Sequence, residues 1–147
     1  MRRKNSVTSE TRPARRRLGR VLVVEDDPII AMALEAALRD VGASDVAICP
    51  SIACTMDALE QGPAAAIVLD VHLADRSDGW ALAELAELLG PTPPYIIFAT
   101  GAPEDIPPEV AELGPVFEKP YDPVHLAEAL ASGVKRGLFA RLRNAIS

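Results

Sequence analysis

The sequence predicts an α/β fold in which a five-stranded parallel sheet has helices on both faces. The first observation is a set of five short apolar runs of strand length, and the second is the alternation of these runs with segments of helical character. Because parallel strands need crossover connections, and these are right-handed, the alternation indicates a doubly wound sheet. The third observation is that polar residues stand at the ends of four strands, where ligands bind in such sheets.

Each predicted strand is a short apolar run, and most predicted helices begin at a capping residue and end near a glycine. Asp27-Pro28 and Asp122-Pro123 repeat one start signal, an aspartate cap followed by proline at the first helical position. The predicted strands are 20–24, 45–49, 65–70, 95–100 and 116–118. The predicted helices are 28–41, 51–61, 78–90, 109–113 and 123–137.

Two of these helices carry residues that oppose a regular helix. The prolines at 103, 107 and 108 restrict the fourth helix to about 109–113 or to a single turn. Gly133 and Gly137 are candidate breaks in the fifth, although residues 138–147 have the composition of a further turn or two of basic amphipathic helix.

Length and composition favour a single globular domain in the cytoplasm. The chain has 147 residues, of which 49% are hydrophobic and 24% are charged. No apolar run approaches the roughly 18 residues that a membrane span needs, and the basic N-terminal residues are not followed by the apolar region of a secretion signal. Cys49 and Cys54 lack further Cys or His residues at metal-ligand spacing, which favours reduced residues in or near the core.

The net charge of −6 conceals a strong asymmetry along the chain. Residues 1–20 carry a net charge of +7, so the remaining residues carry −13. An acidic body is a poor nucleic-acid binder, and we therefore expect no direct DNA binding by the folded domain. Residues 1–19 lack periodicity and are predicted to be a disordered basic arm, whose partner the sequence does not identify. A solvated leader, a start codon assigned too early, and docking to an acidic partner or lipid surface all fit the arm.

Polar side chains from four predicted strands are expected to meet at one edge of the sheet. Asp70 ends the third strand, Glu25 and Asp26 follow the first, and Thr100 and Lys119 end the fourth and follow the fifth. Taken alone, Asp70 also fits an ordinary turn residue at a strand end. Carboxylates clustered at one edge repel one another, which implies a cation, and oxygen ligands without His or Cys side chains favour Mg²⁺ over Zn²⁺.

The same edge has the groups needed to hold a phosphoryl group on a carboxylate. Lys119 supplies a compact positive charge that pairs with a carboxylate or with a transferred phosphoryl oxygen. Thr100 supplies a hydroxyl donor. A carboxylate nucleophile, a divalent cation and two donors together predict an aspartyl-phosphate site.

These motifs resemble the receiver domain of two-component response regulators. The resemblance covers residues 20 to about 137 and rests on four motifs in matching order: 24–28, 68–71, 99–101 and 119–120. It implies a flavodoxin-like fold with strand order 2-1-3-4-5. It also implies that Asp70 is the phosphoacceptor, that Thr100 is the switch hydroxyl, and that Lys119 is the conserved lysine with a cis bond to Pro120.

The resemblance extends to the metal site and to a subgroup of the family. It implies that Asp26, Asp70 and the backbone carbonyl of His72 bind Mg²⁺, with Glu25 acting through water. The run 98–101, Phe-Ala-Thr-Gly, is similar to the signature of the stand-alone FATGUY receivers. Three residues before the lysine, however, Val116 stands where many receivers have an aromatic residue that moves inward on activation.

The function implied is phosphorylation by a histidine kinase or histidine phosphotransferase. Residues 138–147 are a short extension with no room for an output domain, so signalling is expected through a protein bound at the face of the fourth and fifth helices and fifth strand, or through action as a phosphate sink. The protein is expected not to be an enzyme beyond self-catalysed phosphotransfer and autodephosphorylation. One alternative is a phosphate-independent interaction module of the same fold. The other is a small Mg²⁺-dependent phosphatase, which fits less well because the DxD pair of such enzymes is absent at Asp70, where position 72 is His.

Overall fold

A computed structural model describes residues 18–72 and 92–146 of the chain. Its strands are β1 (Gly19–Val24), β2 (Ala43–Cys49), β3 (Ala66–Asp70), β4 (Tyr95–Thr100) and β5 (Val116–Glu118). Its α-helices are α1 (Pro28–Asp40), α2 (Ile52–Gln61), α3 (Pro108–Ala111) and α4 (Pro123–Ile146), with a 3₁₀ turn at Pro103–Asp105. The helix predicted at 78–90 lies outside the described residues.

The five strands form one parallel sheet in the order β2-β1-β3-β4-β5, which confirms the predicted fold. Successive strand residues point to opposite faces, so the sheet separates two apolar cores. Val23 and Val68 face the core that is closed by α1 and α4, whereas Leu22 and Ile67 face the core that is closed by α2 and α3. Alternation within each strand therefore fixes which helices cover which face.

Capping residues determine where the helices begin. The Asp27 carboxylate accepts hydrogen bonds from the backbone N–H groups of Ile29 and Ile30, at 2.9 and 3.4 Å. Ser51 caps α2 through a 3.1 Å bond from the Cys54 N–H. Both caps lie one residue before the helix, as the sequence predicts for Asp27, and α2 therefore begins at Ile52 rather than at the predicted residue 51.

The structure differs most from the predicted boundaries at three places, and β1 also begins at Gly19, which the predicted arm of residues 1–19 had included. Strand β2 begins at Ala43 rather than Asp45, because Ala43 pairs with Gly19 of β1 across an irregular register. The proline-rich segment gives a 3₁₀ turn and a helix of only four residues, since each proline lacks an N–H group for a helical bond. Gly133 and Gly137 do not break α4, which continues for 24 residues.

Candidate functional site

The carboxyl ends of β1, β3, β4 and β5 lie together at one edge of the sheet. The register pairs Asp70 with Ala99, which places Thr100 one residue beyond the end of β3. The Lys119 N–H donates to the Thr100 carbonyl at 2.8 Å and so brings the residue after β5 to the same edge. Parallel pairing therefore brings the four predicted positions together, although they are far apart in the sequence.

Three carboxylates form the acidic part of this edge. Glu25, Asp26 and Asp70 each offer an oxygen within 4.8 Å of the others. Glu25 and Asp70 are buried, with 3% and 4% of their surface exposed, whereas Asp26 is exposed. Two buried acids and one acid open to solvent form an oxygen-rich site that is reached from one side, which suits a hard cation that keeps some of its water.

Lys119 is the cation that balances the buried acids. Its ammonium Nζ lies 3.1 Å from Glu25 Oε1 and 3.2 Å from Asp70 Oδ2. Burial lowers the pKa of Lys119, but the hydrogen bond to Glu25 and the charge of Asp70 outweigh it, so the pKa lies above the ordinary value. Lys119 thus remains protonated and faces Asp70, as the sequence predicts.

One ammonium group does not fully compensate the acidic cluster. Burial and the neighbouring Asp70 raise the pKa of Glu25, while Lys119 and the Asp27 N–H, a donor at 3.2 Å, lower it to a smaller extent. The net rise means that the ionised form of Glu25 is disfavoured. A divalent cation among these carboxylates would relieve this, so the residues present fit the Mg²⁺ that the sequence predicts.

Thr100 and His72 lie beside the acids as expected. Thr100 is completely buried, and its hydroxyl oxygen accepts a 3.0 Å hydrogen bond from the Ala102 N–H. None of the hydrogen bonds among the described residues uses the hydroxyl proton, so Thr100 can donate it to an acceptor at the edge. His72 donates its backbone N–H to Asp70 Oδ1 at 3.0 Å, which holds the carboxylate in place. The loop after His72 lies outside the described residues.

Tyr121 is a neighbour of the site that sequence reasoning missed. Burial, followed by the charges of Glu25 and Asp70, raises the pKa of its phenol above the ordinary value. Its buried hydroxyl has no hydrogen-bond partner among the described residues. The available signal was its position directly after Lys119-Pro120, whose peptide bond is cis as the resemblance implies.

Val116 occupies the position where many receivers have an aromatic residue, and the aromatic residue next to it, Phe117, faces the other side of the sheet. Val116 packs against the core on the α2 side of the sheet, whereas Phe117 packs against the core on the α1 side. The Phe117 ring makes edge contacts with Tyr121 and His125, at centroid distances of 6.3 and 5.8 Å. His125 is exposed.

The fold and this edge define a receiver domain. The family model of the response regulator receiver domain matches residues 21–131, and the chain belongs to that family. Receiver domains are signalling modules that work with histidine kinases or phosphotransfer proteins, and they bind Mg²⁺ at an acidic pocket. The cluster of Glu25, Asp26 and Asp70 fits that pocket.

Individual relatives agree with the family. The phyllosphere-induced regulator PhyR of Methylorubrum extorquens is 28% identical over 127 residues, which cover 85% of this chain and 47% of the relative. The chain thus matches about half the length of that protein. A CheY-like receiver domain from Methylobacillus flagellatus is similar at 25% identity, with a TM-score of 0.68 over 78% of this chain and 97% of that one. A sensor protein from Polaromonas sp. JS666 has 26% identity and the same TM-score over 81% of this chain and 98% of its own.

None of the helices in the described ranges is both long enough and apolar enough to cross a membrane.

Proposed function

We propose that Asp70 accepts a phosphoryl group from a phosphohistidine of a histidine kinase or histidine phosphotransferase. The observation that carries this proposal is the buried Asp70 carboxylate, held by the His72 N–H on one oxygen and by Lys119 on the other. A carboxylate oxygen attacks phosphorus and forms an O–P bond. The N–P bond breaks, and its electron pair returns to the imidazole nitrogen of the donor.

The neighbouring residues act on the charge that this transfer delivers. Lys119, which contacts Asp70 before transfer, moves its hydrogen bond to a phosphoryl oxygen. Thr100 donates its hydroxyl proton to another phosphoryl oxygen. Asp26, Asp70 and the His72 carbonyl would hold Mg²⁺, with Glu25 acting through water. When bound, the ion would supply positive charge that neutralises the phosphoryl oxygens.

The output is a protein contact rather than a chemical product. Phosphorylation draws Thr100 and Lys119 inward and alters the packing of α3, β5 and the first turns of α4, which a partner protein reads. Draining phosphoryl groups from a kinase is the other output that we consider. Self-catalysed phosphotransfer and autodephosphorylation are its only reactions, and we place the protein in the cytoplasm.

The test is phosphorylation with acetyl phosphate and Mg²⁺, followed by intact-mass measurement. We expect the mass to increase by one phosphoryl group in the wild type and in Asp57→Asn, an exposed aspartate of α2, but not in Asp70→Asn. Modification of Asp70→Asn would contradict the assignment. Turnover of phosphate esters without a stable adduct would instead indicate a phosphatase.

A phosphate-independent interaction module is the second candidate, because Val116 lacks the aromatic ring that many receivers move on activation. Beryllium fluoride distinguishes it from a phosphorylated switch. If Mg²⁺ and beryllium fluoride leave the amide NMR shifts of Thr100 and Lys119 unchanged, the passive module is correct. A change at both residues that is absent from Asp70→Asn supports the switch.

A further inference from the structure

The end of the molecule opposite Asp70 has a cavity that the phosphorylation chemistry does not use. The cavity has a volume of about 540 Å³, within the usual size range of ligand sites. Residues at the starts of β1 and β4 line it, together with one face of α4. None of its described lining residues is acidic, although the chain as a whole has more acidic than basic residues.

The last turns of α4 carry exposed apolar residues beside this cavity. Leu138, Phe139 and Leu142 are 44%, 60% and 51% exposed. Leu138 and Leu142 are four residues apart and therefore lie on one side of the helix, with Phe139 next to them. Leu138 also lines the cavity. This apolar surface lies beyond residue 131, where the family match ends.

Basic residues surround the apolar surface. Lys135, Arg136, Arg141 and Arg143 lie in the same segment, and the sequence contains no acidic residue after Glu128. Arg141 is exposed and lines the cavity. Arg20, the other lining cation, already donates to the carbonyls of Ala58 and Gly62 at 3.0 and 3.2 Å. Arg141 is thus better placed to meet an anion.

The basic N-terminal arm joins the body at the same end. Leu18, the first described residue, lines the cavity. The seventeen residues before it include seven Arg and Lys residues and one acid, Glu10. We call this end, with the cavity, residues 135–143 and the attachment point of the arm, the basic pole. Positive charge and exposed apolar side chains therefore occur together at one end of an otherwise acidic protein.

We infer that the basic pole binds the surface of an anionic lipid membrane. Phe139 and Leu142 would enter the boundary between headgroups and acyl chains, while Arg136 and Arg141 would contact the lipid phosphates. A nucleic acid would explain the charge but not the exposed leucine and phenylalanine side chains. A symmetric contact between two copies would bring two basic poles together, which like charges oppose.

The placement has a consequence for the orientation of the protein. The basic pole lies where the parallel strands begin, and Asp70 lies where they end. A protein bound to lipid through the pole would therefore keep the acidic edge in solution, away from the like-charged membrane. This inference does not depend on phosphorylation of Asp70.

The test is sedimentation of the full chain with lipid vesicles. Vesicles that contain phosphatidylglycerol are compared with vesicles of phosphatidylcholine alone, at low and high salt. Because each basic residue near an anionic surface strengthens binding by about fivefold, we expect at least about tenfold tighter binding to the anionic vesicles. Binding should weaken at high salt.

A matched pair of variants tests the apolar contribution. Phe139→Ser with Leu142→Ser should reduce binding by about tenfold or more, because two side chains no longer enter the lipid. Ile29→Ser with Met32→Ser is the control, since these residues are 79% and 65% exposed but lie on α1 near the opposite edge. Circular dichroism checks that both variants remain folded, which their exposure favours.

Several results would overturn the inference. These are equal binding to both kinds of vesicle, equal loss in both double variants, and full binding by the Phe139 and Leu142 variant. Release of the protein from vesicles by duplex DNA would point to a nucleic acid. Dimerisation in solution that the Phe139 and Leu142 variant loses would point to a second copy. If replacing the arginines at 15–17 by Gln abolishes binding while the Phe139 and Leu142 variant binds fully, the arm alone is responsible for binding.

Discussion

At the scale of single residues, Lys119 holds two buried acids that would otherwise repel each other. Its distances to Glu25 and Asp70 are nearly equal, 3.1 and 3.2 Å, so the ammonium group pairs with both acids at once. The raised pKa of Glu25, caused first by burial and then by Asp70, shows that repulsion remains. The site therefore favours added positive charge, which suits metal binding.

Tyr121→Phe should increase the stability of the protein. The buried Tyr121 hydroxyl has no hydrogen-bond partner among the described residues, so its desolvation is not compensated. Replacement by Phe keeps the ring and its edge contact with Phe117. We expect the free energy of unfolding in urea to rise by about 1 kcal/mol. Tyr95→Phe is the control and should change it little, because Tyr95 is only half-buried. A fall in stability in Tyr121→Phe would mean that the hydroxyl is hydrogen-bonded in solution.

The contribution of the buried Cys49 thiol to the free energy of unfolding should fall as the pH becomes alkaline. Burial, followed by its hydrogen bond to Cys54, raises the pKa of the Cys49 thiol from 9.0 to about 12. Between these values the unfolded thiol loses its proton and the folded one keeps it, so the free energy of unfolding falls as pH rises. We therefore expect the stability difference between the wild type and Cys49→Ala to shrink from pH 8 to pH 11 in urea titrations. A constant difference would contradict the raised pKa.

The principal site residues were predictable because each ends or follows a strand. Asp70, Thr100 and Lys119 come directly at these ends, and parallel pairing brings such ends together whatever their separation in sequence. Tyr121 was not predictable in this way. Its burial depends on how the chain turns after Pro120 and on the packing of Phe117, and neither is visible in a pattern of apolar residues.

At the scale of secondary structure, the two glycines of α4 differ in their surroundings and therefore in their structural roles. Gly133 is buried beneath the ring of Tyr95, and a Cβ atom built there would lie 2.1 Å from the ring. At Gly137 the same atom would meet nothing within 4 Å. Only Gly133 is therefore required by packing, and both residues remain helical despite their low propensity.

The two glycines provide a matched pair of substitutions. Gly137→Ala should raise the free energy of unfolding by up to about 1 kcal/mol, because alanine loses less backbone entropy in a helix. Gly133→Ala should lower it by about 1–3 kcal/mol, because the tyrosine ring must move. Urea denaturation measures both. Equal effects would show that Tyr95 does not press on the helix, and addition of Tyr95→Ala should remove the penalty of Gly133→Ala.

The helix starts were predictable from local chemistry, but the lengths of some elements were not. Asp27 and Ser51 cap their helices through side-chain bonds that depend only on neighbouring residues. The early start of β2 depends on pairing with Gly19, which is distant in sequence. Gly133 lies inside α4 because the ring of Tyr95, which is distant in sequence, leaves no room for a Cβ atom there. Local signals thus predict boundaries well only where no distant partner extends the element.

At the scale of the whole molecule, the parallel sheet separates two surfaces of opposite charge. The acidic edge lies where the strands end, and the basic pole lies where they begin. The strong asymmetry of charge along the sequence therefore becomes an asymmetry in space, because both basic segments join the same end. The sequence shows the charges of the two segments, but only the fold shows that Leu18 and Leu138 line one cavity.

Mg²⁺ should stabilise the whole domain through the acidic edge. An ion that binds only the folded chain raises its stability by about 1.4 kcal/mol at ten times its dissociation constant, or about 4 °C in midpoint temperature. Asp26→Asn should remove most of this gain, because it deletes the exposed carboxylate of the cluster. In EDTA the same variant should melt close to the wild type, since Asp26 makes no buried contact. Thermal unfolding followed by circular dichroism measures both effects.

The control for this experiment is Asp40→Asn, an exposed aspartate at the end of α1. It removes the same charge from the body but not from the edge, so it should keep the full response to Mg²⁺. If Asp40→Asn and Asp26→Asn lose the response equally, Mg²⁺ acts by general screening of the acidic body. If only Asp26→Asn loses it, the ion occupies one site, and the charge that Lys119 leaves uncompensated is what draws it there.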